Sequence, residues 1–239
     1  MTQDRRAATL IGVLYIIGTA AGVASALIMP SFAAGTDALA QIAAHRTATI
    51  AGALLVLTMG FALSALPAVF YPIGRRYSET LAMGYVIFRG AFEGIIYLLG
   101  VLVWLVLLAM TAAPSTMAPM STVLQTAQRT MWEQLIPLPF AIGALMFCWL
   151  LFRTRLVPRW VSVWGLVGAA LYLVPPLARM MGFNLDILMA PLALQEMVLA
   201  VWLIVKGFNP AIIAQGAPHA EEPRVASRNP QVLHPAPGV

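Results

Sequence analysis

Residues 80–111 read TLAMGYVIFRGAFEGIIYLLGVLVWLVLLAMT, and this stretch decides the fold. From Gly94 to Met110 it is an unbroken apolar run. At ~1.5 Å per residue the segment is longer than a ~30 Å hydrocarbon core requires, so it should tilt or protrude. Arg89 and Glu93 stand one helical turn apart in its first third. A charge at membrane depth is expensive and asks for a partner. Gly90 and Gly94 flank the glutamate as a GxxxG pair, which admits a neighbouring helix.

The rest of the chain repeats the pattern. Its 239 residues are 61% hydrophobic and 10% charged, with a mean hydropathy of +0.86. A soluble domain carries about 25% charged residues. The expectation is an all-α integral membrane bundle of six transmembrane helices over residues 1–207. The spans fall at about 7–29, 47–70, 80–111, 132–152, 158–178 and 186–206. The first could pass for a secretory signal, but it is longer than a signal core and more spans follow, so it reads as uncleaved. Residues 208–239 are rich in Pro, Ala and small polar residues without apolar period, and read as a disordered cytoplasmic tail. Truncation after Asn209 is expected to leave insertion intact.

Punctuation fills in the boundaries. Pro30 closes the first span, and Thr36 is a candidate cap for a polar turn from Asp37 to Arg46. Pro67 should bend or end the second span. Ser78 or Thr80 caps the third. Residues 112–128 form the longest loop, with Ser121 a candidate cap of a short amphipathic helix. Pro137 and Pro139 should disturb the first turns of the fourth span. Pro158 suits the first position of the fifth, and Pro175-Pro176 its end. Gly18-Thr-Ala-Ala-Gly22 is a second small-residue face, a weak signal in an alanine-rich helix.

The net charge of +5 does not point to nucleic acid, because the basic residues sit singly or in small groups between apolar runs. One side of the bundle collects Arg5, Arg6, Arg75, Arg76, Arg153, Arg155, Arg159 and Lys206. The other receives Arg46, Arg129 and Arg179. The positive-inside rule then places both termini in the cytoplasm. Arg75, Arg76, Arg153, Arg155, Arg159 and Lys206, with Trp160 and Trp164 at the same level, read as cytoplasmic interface anchors.

No catalytic or cofactor motif is present: no GxGxxG, Walker loop, HExxH or GxSxG. No catalytic residue, metal site or cofactor is expected. Cys148 sits alone in an apolar run, where a small filler is the simplest role. His45 lies at a span end beside Arg46, and His219 and His234 lie in the tail. Arg129 and Glu133, four residues apart, read as an exposed ion pair of little energetic weight. The intramembrane polar centre is Arg89, Glu93 and Glu196, with Gln195 beside it. Tyr85, Tyr97 and Tyr172 could turn hydroxyls toward it. Counting ten residues from each cytoplasmic boundary puts Arg89 and Glu196 at a common depth near the midplane. Arg89 is therefore expected to bridge Glu93 and Glu196. The trio is net negative if both acids ionise, and a proton on one glutamate would remove the excess.

Several short features recur in order along the chain: Arg6 with Gly12-Val-Leu-Tyr15, Tyr71-Pro72 with Arg75-Arg76, and Ala82-Met-Gly84-Tyr85 with Arg89 and Glu93. Phe152-Arg153-Thr-Arg155-Leu-Val-Pro158-Arg159-Trp160 follows, then Gln195-Glu196-Met197 and Trp202-Leu-Ile-Val-Lys206-Gly207-Phe208. Over roughly residues 5–208 the chain resembles the bacterial multi-pass membrane family catalogued as domain of unknown function 4386. The resemblance implies an integral protein of the bacterial cytoplasmic membrane. It carries no established reaction, substrate or site residue.

Two classes of function stay open. One is a non-enzymatic accessory, sensory or assembly protein, whose partners are the lipid bilayer and a membrane-protein partner or a homo-oligomer. The other is a small proton- or substrate-coupled carrier using Glu93 and Glu196. An intramembrane enzyme ranks below both, for want of a nucleophile–base pair or metal set.

Overall fold

The computed structural model describes residues 2–29 and 38–215. They form helices joined by short turns, with six helices long and apolar enough to cross a membrane. These are α1 (Gln3–Ile28), α3 (Arg46–Gly74), α4 (Glu79–Met110), α5 (Pro114–Thr154), α6 (Arg159–Met180) and α7 (Asp186–Val205). Two short helices, α2 (Ala38–Ala44) and α8 (Pro210–Gln215), complete the described chain. No strand occurs among the described residues.

Helix starts follow local chemistry. The Thr2 hydroxyl accepts from the Arg5 amide at the head of α1, and Ser78 accepts from Leu81 at the head of α4. Each satisfies one amide left over by helix geometry. At the far end of α7, the Arg5 guanidinium donates to the carbonyls of Leu203 (2.8 Å), Ile204 (2.7 Å) and Val205 (3.0 Å). The first helix thereby caps α7, placing a cation where the helix dipole favours one.

Several boundaries differ from the sequence reading, for physical reasons. Residues 112–128 are not a loop: α5 starts at Pro114 and runs 41 residues. At ~1.5 Å each that is about 60 Å, twice a hydrocarbon core, so its polar Ser/Thr/Gln-rich first turns must project beyond lipid. Pro67 does not end α3, which continues through Pro67 and Pro72 to Gly74. Pro175-Pro176 do not end α6: a break at Leu173 restarts the helix, with the prolines in the new first turn, where no amide is required. Pro158 is the cap residue and Arg159 the first helical one. Thr36 and Asp37 lie outside the described residues.

The tail begins later than composition suggests. Phe208 is buried against Phe70, the Asn209 amide donates to the Leu156 carbonyl (2.8 Å), and Tyr77 donates to the carbonyl of Ile212 on α8 (2.9 Å). Burial raises the Tyr77 hydroxyl above its usual range, which keeps it a donor. Residues 208–215 are thus part of the packed end, and 216–239 lie outside the described residues.

Small residues set the helix spacing. A methyl group at Gly18 would meet the Leu63 side chain, and one at Gly22 the Met59 sulfur, so the Gly18/Gly22 face is where α1 seats on α3. Around the bundle, α1 packs on α3 and α7, α3 on α4, α5 on α4 and α6, and α6 on α7.

Candidate functional site

The centre is built on a four-residue repeat. The buried stripe of α4 is Tyr85, Arg89, Glu93, Tyr97 and Val101. A regular α-helix turns 100° per residue, so a four-residue stripe drifts about 40° per step. The chain absorbs that drift by adopting π-helix from Val86 to Phe92, with the Glu93 amide bonded to the Phe88 carbonyl. The wider turn holds the stripe on one face, and such segments recur at functional sites. Gly143 of α5 makes room for it: a methyl group there would sit 3.1 Å from the Arg89 backbone nitrogen.

Arg89 does bridge the two glutamates. Its Nη2 lies 3.2 Å from Oε1 of Glu196 on α7, and its Nη1 3.3 Å from Oε2 of Glu93. Arg89 and Glu93 are sealed from solvent, whereas the Glu196 side chain keeps 12% exposure. Tyr97 donates to Glu93 Oε1 (2.8 Å). The guanidinium lies over the Phe140 ring at 4.1 Å and near the Tyr15 ring at 5.9 Å. Both rings offer their negative face to the cation.

The set is only partly satisfied. The Arg89 Nη1 contact with Glu93 Oε2 is a charge contact without hydrogen-bond alignment. Arg89 Nε, Nη1 and Glu93 Oε2 have no hydrogen-bond partner among the described residues. A bond left unmade in a low-dielectric interior is costly.

Other expected residues fall elsewhere. Gln195 is buried but turns away from the centre, donating to the Val161 carbonyl of α6 (3.2 Å) beside Gly165 and Cys148. Adjacent residues on a helix point about 100° apart, so Gln195 and Glu196 cannot share one target. Tyr85 pairs with the Tyr15 hydroxyl (3.4 Å) and stacks on Phe147. Tyr172 packs on Phe140. Gly90 and Gly94 admit α3 at Ser64.

The basic residues gather at one end. Arg76 pairs with Asp4 (3.1 Å), Arg75 lies over Tyr71, Arg159 lies over Phe152, and Trp160 stacks near Trp164. Contacts of Asp4 with Arg76, Arg5 with Leu203, Tyr77 with Ile212 and Leu156 with Asn209 tie these ends together. At the other end, Arg179 joins both Glu133 and Asp186, and Glu133 also takes Arg129 (2.9 Å). The expected Arg129–Glu133 pair is therefore one arm of a network clasping α5, α6 and α7.

Sequence reasoning missed Tyr15, Phe140, Gly143 and the Arg5 cap. The four-residue recurrence of Tyr85, Arg89, Glu93 and Tyr97 was a usable signal for the π segment and for the Tyr97 contact. Nothing local marks Phe140 or Gly143, since they matter only through α4.

The family profile for domain of unknown function 4386 matches residues 10–207. The chain belongs to this family. The DUF4386 match spans α1 to α7, including the whole Arg89 centre. No curated protein and no solved structure gives a significant match.

Proposed function

We propose that this DUF4386 chain is a non-enzymatic multi-pass protein of the bacterial cytoplasmic membrane, of accessory, sensory or assembly type, whose Arg89 centre fixes how α4 and α7 sit in the bundle. The supporting observation is one sealed guanidinium held between carboxylates of two helices. The clustering of Arg76, Arg153, Arg155, Arg159 and Lys206 at one end supports both termini in the cytoplasm by the positive-inside rule. A reporter fused after Lys206 should behave as cytoplasmic; periplasmic behaviour overturns that orientation.

A second reading, a proton- or substrate-coupled carrier, is favoured by three features. These are the unpaired Arg89 and Glu93 atoms, the residual exposure of Glu196, and the π segment. In that reading a proton on Glu93 or Glu196 offsets the surplus carboxylate. Ion and metabolite flux in vesicles separates the two. No flux above that of protein-free vesicles supports the non-transporting reading, and wild-type flux that is lost in Glu196→Gln overturns it.

A further inference from the structure

The basic end contains a cavity of about 430 Å³ between the α5–α6 turn and the end of α7. Arg155, Arg159 and Lys206 line it, with Leu156, Trp202 and Phe208 among its apolar walls. No carboxylate lines it. None of the three cations enters an ion pair among the described residues. The first turn of α6 adds its positive helix end at Arg159.

Two details make this more than a charged surface. Arg155 is the one non-glycine residue with positive φ among the described residues, at 59°. Glycine is the usual residue at such a helix end, so an arginine there carries a backbone cost. The Arg5 guanidinium, already capping α7, would lie 2.8 Å from a methyl group at Gly207. It brings a fourth cation to the cavity rim.

We infer that this cavity is a binding site for the phosphate of an anionic phospholipid. The source is lipid and not a soluble anion because the walls are apolar and the adjoining helices continue as lipid-facing stripes. Trp160, Val163 and Val167 of α6 and Val201 and Val205 of α7 are exposed, giving acyl chains a surface below the headgroup. Basic pockets between membrane helices recognise anionic headgroups in this way. Arg153, grouped by sequence with Arg155 and Arg159, does not line the cavity; it lines another with Arg76 and Tyr77.

The site rests on the membrane reading above. A chain that fractionates as an integral membrane protein but shows no lipid preference sinks the site alone. The test is retention of added phosphatidylglycerol against phosphatidylcholine by the purified full-length chain, read by native mass spectrometry. Phosphatidylglycerol is expected to be retained selectively. Arg155→Gly relaxes the backbone while removing one cation, and should lower retention about fivefold without lowering thermal stability. Arg155→Gly with Arg159→Gln and Lys206→Gln should abolish the preference, and Arg153→Gln should leave it. Unchanged retention in the triple variant overturns the site. Displacement of the lipid by an equal concentration of inorganic phosphate would identify a soluble-anion site and overturn the lipid assignment.

Discussion

The chain contains two ionic clusters of similar make-up and opposite setting. At the centre, a sealed Arg89 faces the sealed Glu93 and the 12% exposed Glu196; at the far end, Arg179 faces Glu133 and Asp186, with Arg129 alongside. Arg129 is 76% exposed, so water already solvates it and its pairing adds little. Arg89 has no such alternative. What a salt bridge does depends less on its distance than on what each partner meets when the other is removed.

The strongest way to break this contrast is Arg89→Leu. It strands two buried carboxylates, and the expected loss is about 3–5 kcal/mol in unfolding from detergent micelles. Adding Glu93→Gln and Glu196→Gln to Arg89→Leu should recover most of that loss, because neutral groups tolerate burial. A triple variant no better than Arg89→Leu would show that packing, not charge, carries the effect. Tyr97→Phe removes the donor to Glu93 and should cost about 1.5–3 kcal/mol by the same measurement. Gly143→Val forces side-chain atoms into the Arg89 backbone and should cost about 1–3 kcal/mol. A neutral outcome would mean that the π segment shifts freely. Arg129→Ala closes the series with less than about 1 kcal/mol. A cost there equal to that of Arg89→Leu would erase the distinction between the two clusters.

The spans and the Arg89 bridge were legible because hydropathy, charge and residue counting are local quantities. Arg89 and Glu196 could be set at one depth from rise per residue alone, and their meeting followed. Gln195 was misplaced because depth was considered without azimuth: it shares the level of Glu196 but faces α6. The loop reading of 112–128 failed because polar residues and two prolines signal departure from lipid, and a helix can leave lipid without ending. Pro114 starts α5, and Pro119 lies within its projecting part. The Arg179 network was hidden because its members are separated in sequence and meet only through tertiary packing.

The Arg5 cap joins residues that are made far apart in time. Arg5 is made before the carbonyls it secures, which begin 198 residues later. At roughly 5–20 residues per second, about 10–40 s of synthesis separates the two halves of that contact. Throughout this interval α1 has no α7 to cap, and the groove that α7 will fill stays open to lipid or to another membrane helix. The contact between α1 and α7 can form only after α7 is made.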